Sequence, residues 1–400
     1  GVRDRAEAVI AGDWQQQMLV DANGTDWRGD WNMYAANTDW YDVVYKDWAF
    51  SQEHNLSVTG GTERINYYAS AGYLQQSGLS KIAKDDMKRY TLTAKMSAEL
   101  SSWARLDLST RFVRKDMDRP RGLGGALYDN LSMNFWPTHP LVDNNGNMMW
   151  GVGPELKRIA EGGYNYSNND DINFQGALIL EPIKGWVTHL EANYRIVNYS
   201  SREEGLPLTS YNALGQAQIG YDKDSYVSKS HERSNYMNIN AYTEYARSFG
   251  KHNGKIMFGF QTEGYRREND SYTAYGLINY DYVWGDLTTD TSFTGEERKP
   301  SIGGNYNRWT TAGFFGRLNY DYNGIYLAEF NLRYDGTSRF KEESRWGLFP
   351  SFSLGYNIAN EEFWEPYRRT INTLKLRGSY GQLGNQNTNN WYSQYEQLVL

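Results

Sequence analysis

The chain contains no cysteine, which excludes disulfides and thiolate metal sites. It is poor in proline, with 9 in 400 residues, so little interrupts long regular elements. No apolar run approaches the roughly 20 residues of a membrane helix. Mean hydropathy is −0.75. That value argues against a helical membrane protein only, because a transmembrane barrel hides its apolar residues in alternation and fills its interior and loops with polar ones. The net charge is −7 and no basic run stands out, which argues against a nucleic-acid partner. No initiating Met or signal peptide is seen at Gly1, and the final QLVL reads as the inside of a strand. The expectation is a segment of something longer.

What the chain has in excess is aromatic side chains, 33 Tyr and 14 Trp among them. Tyr and Trp favour the headgroup level of a bilayer, so this excess suits interfacial girdles. The clearest pattern is Tyr90 to Val113. Tyr90, Leu92, Ala94, Met96, Ala98 and Leu100 alternate with Thr91, Thr93, Lys95, Ser97 and Glu99. After the turn Ser101-Ser102-Trp103 the pattern resumes, with Ala104, Leu106, Leu108, Thr110 and Phe112 against Arg105, Asp107, Ser109 and Arg111. Successive side chains point to opposite faces of a strand, so this is a β-hairpin with one apolar and one charged face. Each arm has about 10 residues, enough for a tilted strand to cross a bilayer.

The unit recurs along the chain, giving about 13 strands over residues 51–400. Short links near residues 61, 102, 183, 251 and 323 alternate with longer ones, which is the asymmetry of outer-membrane barrels. Asn323-Gly324 is a two-residue hairpin signal. The long loops are expected over about 116–169, 201–227 and 269–305. A short helix is expected near Ala126 to Phe135. The helix-like connector ANEEFWEPYRR is the exception, a long link on the short side. The fold class is all-β: a transmembrane antiparallel β-barrel, incomplete because its strand count is odd and a strand is missing before HNLSVTGG. Residues 1–50 differ, with a helix-forming start and a Trp-rich, loop-like remainder.

The faces follow from cost. A Lys or Arg at the lipid-facing midplane costs about 2–4 kcal/mol. Lys95, Arg105, Arg111, Arg195, Arg333 and Arg377 are therefore expected to face the lumen. No catalytic constellation is found. His54, His139, His189, His231 and His252 are scattered and make no HExxH pair. Gly378-Ser379-Tyr380-Gly381 lies in a strand and is no nucleophile elbow. RGLGGALYDN is Gly-rich before a possible helix, but no strand is read before it, as a dinucleotide fold requires. Asp21 to Asp26 lacks EF-hand spacing and reads as a solvated turn. No metal or cofactor is expected. Phe135, Trp136, Trp150, Tyr164 and Tyr166 crowd one loop beside Asn and Gly. They are the candidates for substrate contact, since rings stack on sugars while amides bond hydroxyls. The alternative is that they pack the loop or a covering protein.

Several stretches resemble the SusC/RagA-like TonB-dependent transporters. They are NTDWYDVVYKD with HNLSVTGGTERINYYASAGYLQQSGL, then DGTSRF, RWGLFPSFSLGY and LKLRGSYGQLGNQ. The resemblance implies a 22-stranded outer-membrane barrel with an upstream plug. It implies a SusD-like surface lipoprotein as a lid, and energy from the TonB complex through a segment upstream of this chain. The implied substrates are oligosaccharides or oligopeptides. Residues 1–50 would then be the large first extracellular loop. The alternatives are a passive porin or surface adhesion barrel without energy coupling, and a soluble β-rich enzyme. The strict alternation of links counts against the last.

Overall fold

The computed structural model describes residues 37–137, 141, 154–211, 217–219, 222–388 and 391–392. Most of residues 1–50, including Asp21 to Asp26, lies outside them, as do His139, Trp150 and residues 393–400 of the last expected strand. The described residues form twelve strands of one antiparallel sheet. These are β1 (Ser51–Gly61), β2 (Ile65–Ser77), β3 (Asp86–Ser101), β4 (Ala104–Pro120), β5 (Tyr164–Ile183) and β6 (Trp186–Gly205). Two three-residue strands, β7 (Thr209–Tyr211) and β8 (Ala217–Ile219), pair with each other in a loop. The sheet continues with β9 (Tyr226–Phe249), β10 (His252–Tyr275), β11 (Ser301–Tyr322), β12 (Tyr326–Thr337), β13 (Trp346–Asn357) and β14 (Lys375–Gly381). Every strand of the sheet pairs with the next one in it, and β6 pairs directly with β9.

The expected hairpin is β3 and β4, with Leu92 opposite Phe112 and Met96 opposite Leu108. All five short turns fall where expected. At one of them Asn323 and Gly324 both take positive φ, 54° and 66°, the backbone that a two-residue turn between twisted strands requires. Asp321 Oδ1 accepts the Gly324 N–H at 2.9 Å.

The strands are longer than the alternation alone indicates. β9 and β10 each run 24 residues and pair without a register shift from Tyr226–Tyr275 down to Phe249–His252. About 10 residues suffice to cross a bilayer. On β9 one face reads Tyr245, Thr243, Ala241, Ile239, Met237 and then turns polar at Asn235, Arg233, His231 and Lys229. β4 does the same, with Phe112 giving way to Arg114 and Asp116. The long loops accordingly shrink to 121–163, 206–225 and 276–300. The segments read from sequence as loop ends are strands whose two faces are both polar, so they carry no apolar alternation.

The extension of β4 also corrects the reading of RGLGGALYDN: a strand does precede it, ending at Pro120. It belongs to an antiparallel sheet, which lacks the parallel crossover of a dinucleotide fold. The helix there, α2 (Gly125–Met133), follows α1 (Trp40–Val44) and precedes α3 (Pro154–Glu161). The three make a small separate core from Trp40, Val44, Leu127, Leu131, Phe135, Leu156 and Ile159. Asp39 caps α1, its Oδ1 accepting the N–H groups of Tyr41 and Asp42. The connector between β13 and β14 is two short 3-10 turns, Ile358–Asn360 and Glu362–Tyr367, rather than an α-helix. Pro366 lies inside the second and cannot donate to a longer helical ladder.

Candidate substrate-facing surface

Register assigns every strand residue to one of two faces. The polar face carries Lys95, Arg105, Arg111, Arg195, Arg333 and Arg377 (Lys95 opposite Ser109, Arg111 opposite Thr93 and Asn173, Arg377 opposite Gly355). Arg105 Nε donates to Asp107 Oδ2 at 3.2 Å. Arg195 grips Asp171 with two hydrogen bonds, of 2.9 and 2.7 Å. Arg333 does the same with Asp335 at 3.0 Å and also reaches Gln261 Oε1 at 3.3 Å. Planar bidentate pairs of this kind fix the guanidinium direction as well as its charge.

These groups belong to a hydrogen-bonded band that crosses several strands. His189 stacks on Tyr242, with centroids 4.5 Å apart, and the Tyr242 hydroxyl donates to Glu191 at 3.2 Å. Asn240 donates to Glu191 and Asn238 to Glu263. Gln261 donates to Glu263 at 3.0 Å and accepts from Arg333. Two clefts open on this face. One of about 610 Å³ is lined by Gln261, Glu263, Arg333, Asp335 and Phe349. The other, of about 640 Å³, is lined by Lys95, Ser97, Asp107, Gln175, Glu191 and Asn193. Among the described residues no group of three His, Asp or Glu could hold a metal ion.

Higher on the same face lies an aromatic stack that sequence reasoning missed. Tyr265 stands opposite Tyr236 and Trp309 in register. Its ring stacks on Trp309 at 5.9 Å and on Trp391 at 5.8 Å. The Arg339 guanidinium lies over Trp309 at 5.3 Å and over Trp391 at 5.6 Å. The Arg267–Glu232 ion pair, at 2.6 Å, sits on the next positions of the polar face. The available signal was phase: Tyr265 and Trp309 fall among Gln261, Glu263 and Asn307, out of step with the apolar residues of their own strands.

The five loop candidates separate. Phe135 is buried and packs on Trp40, with ring centroids 5.1 Å apart. It fills the small helical core and is not open to a ligand. Trp136 is half exposed, and its carbonyl accepts the Trp40 Nε1–H at 2.9 Å. Trp150 lies outside the described residues. Tyr164 and Tyr166 are not in a loop at all; they begin β5. They share a face with Ile172 and Phe174, the side opposite the charged band. There Tyr166 and Trp284 hold the Arg202 guanidinium between them, at 4.8 and 5.0 Å. The shortened loop had disguised both tyrosines, because Asn165, Ser167, Asn168 and Asn169 beside them read as loop composition.

A partly buried ion pair ties two of the long loops together. Arg158 of α3 donates from Nε and Nη2 to Asp222, at 2.7 and 3.2 Å, and Arg121 approaches the same carboxylate at 3.3 Å. The hydrogen bonds to Asp222 hold the Arg158 guanidinium above its ordinary pKa.

A sheet with one apolar face, one charged face and short links alternating with long ones, broken once between β13 and β14, has the wall geometry of an outer-membrane barrel. No family model matches the chain. The TonB-dependent receptor SusC of Bacteroides thetaiotaomicron is 25% identical over 90% of this chain and 37% of its own length. The TonB-dependent receptor P3 of Formosa agariphila is 26% identical over 91% of this chain and 35% of its own. The structure of the RagAB peptide importer in its closed-closed state superposes with a TM-score of 0.72 at 18% identity, covering 99% of this chain and 45% of that one. The chain is therefore SusC/RagA-like: it is similar to SusC over nine-tenths of its length and shares the strand wall of the RagAB β-barrel. It spans about a third of the length of the curated relatives it matches.

Proposed function

We propose that the protein is an outer-membrane importer of oligosaccharides or oligopeptides, powered by the TonB complex and closed from outside by a SusD-like surface lipoprotein. In this reading the charged face is the lumen wall, carrying Lys95, Arg105, Arg111, Arg195, Arg333 and Arg377, and residues 1–50 form part of an extracellular loop. The observation that carries the reading is the Tyr265–Trp309–Trp391 stack beside Arg339 and the Arg267–Glu232 pair. Flat rings flanked by fixed charges and amides suit a chain-like polar solute, offering stacking faces and hydrogen bonds at once. A wall that only passed small ions would need the charges but not the rings. RagAB, whose fold this chain shares, is a peptide importer.

The test is uptake by cells carrying the intact protein, with labelled oligosaccharides and oligopeptides offered in parallel. Trp309→Ala is expected to reduce uptake about fivefold, since one stacked ring contributes on the order of 1 kcal/mol. Collapse of the inner-membrane proton gradient is expected to abolish uptake. Uptake that persists without the gradient would support a passive porin, and cell-surface attachment without uptake an adhesion barrel. Mild-detergent purification from native membranes is expected to bring a lipoprotein partner in equal amount; a barrel that comes alone counts against the lid.

A further inference from the structure

The one long link on the side of the short turns is built rigidly, yet it leaves aromatic rings uncovered. Glu361 Oε1 accepts hydrogen bonds from the hydroxyls of Tyr326 at 2.8 Å and Tyr356 at 3.1 Å, whose rings are stacked 5.2 Å apart. Asn360 Nδ2 donates to the Gly324 carbonyl at 3.0 Å. Trp364 Nε1 donates to the Ile371 carbonyl and Arg368 Nε to the Ala359 carbonyl, both at 3.0 Å. Arg368 also pairs with Glu365. Phe363 and Trp364, and Trp364 and Tyr367, stand in ring contact, with centroids 6.4 and 5.4 Å apart. Despite these ties Phe363 is 61% exposed, Tyr367 60% and Ile371 48%.

The direction of the link follows from what holds it. Tyr326 shares its face with Ala328, Phe330 and Leu332, and Tyr356 stands opposite Tyr326 in register. These are the last rings of the apolar face, on the side where short turns mark the periplasm. The link is therefore anchored to the lipid-contacting surface and not to the charged face. Its exposed rings continue that surface below the last strand residues.

We infer that residues 361–371 form an interfacial foot that lies in the headgroup region of the inner leaflet, with Phe363, Tyr367 and Ile371 in contact with lipid. Aromatic rings with a polar edge favour that level, and the exposed Arg369 of the same segment is a cation that suits a headgroup phosphate. The foot extends the barrel's lipid contact sideways without adding a strand. It also explains why this one link is long where its neighbours are two or three residues.

The test uses the full-length protein reconstituted in phospholipid vesicles. The chain contains no cysteine, so a nitroxide on Phe363→Cys or Tyr367→Cys marks one site of it. Lys184→Cys, in a short turn, serves as the water reference, and Leu354→Cys, on the apolar face, as the lipid reference. Power saturation with oxygen and with a soluble nickel chelate reads lipid and water contact. At 363 and 367 the oxygen effect is expected to exceed that at 184 several-fold, with nickel access reduced several-fold toward the value at 354. Nickel access equal to that at 184 would overturn the inference, placing the link in water. Low access to both reagents would overturn it too, because the rings would then be covered by protein.

Discussion

The lower and upper parts of the same wall are held together by one hydrogen-bonded ladder but face different solvents. Below about Met237 on β9 and Phe112 on β4, one face is apolar and the other charged. Above those residues both faces are polar, and cations such as Arg114 pair with Asp116 and Asp170 on what was the apolar side. The pairing itself continues unbroken through the boundary, with Arg114 opposite Asp170 and Phe112 opposite Ile172. Alternation therefore records the bilayer, not the strand. Backbone pairing needs only that each N–H and C=O find its neighbour, whereas the side chains report what lies beyond them.

The sharpest way to break this comparison is to move a charge across the boundary. Leu108→Arg, at the middle of the apolar span of β4, is expected to cost about 2–4 kcal/mol and to lower the yield of heat-modifiable folded barrel on gels. A smaller effect is expected in the loops. Asp222→Ala leaves Arg158 and Arg121 half-buried without their shared carboxylate. The loss is about 2–3 kcal/mol of local stability, read as faster proteolysis within 121–163 and 206–225 while the barrel band on gels is unchanged. Smaller again is Gly324→Ala in the two-residue turn. Its positive φ costs an alanine about 1 kcal/mol, read as a lowered urea midpoint for refolding into lipid. The least effect is expected of Ser200→Arg, on the same face as Leu108 but above the boundary: within about 0.5 kcal/mol of the parent in that refolding assay. If Ser200→Arg proved as costly as Leu108→Arg, the boundary would have to be moved upward.

The same division explains what was legible in the sequence. The hairpins, the short turns and the charged face of the lower wall follow from period-two patterning over Tyr90 to Phe112 and Tyr326 to Tyr334. The upper wall did not, because YNYSNND, YSSREE and SKSHERS have no apolar phase and share their composition with loops. Tyr164 and Tyr166 were thereby assigned to a loop. Phe135 was grouped with ligand candidates because nothing local reveals that Trp40, 95 residues earlier, will cover it. The Tyr265–Trp309–Trp391 stack needed the register between β10 and β11, which single strands do not carry. The charged residues were accessible one by one, since the cost of placing Arg195 or Arg333 against lipid is a property of one side chain. Their partners, Asp171 on a neighbouring strand and Gln261 two strands away, were not.

The unbroken ladder of β9 and β10 has a consequence for reach. From Met237 up to Tyr226 the strand continues for about 11 residues, which at about 3.3 Å per residue and a tilt of about 45° lifts its end roughly 25 Å above the apolar band. Along β9 and β10 the mouth of the barrel is thus a stiff rim standing clear of the outer-leaflet headgroups, while β12 and β13, 12 residues each, stop lower. Anything that docks on that rim meets the protein before it meets the membrane.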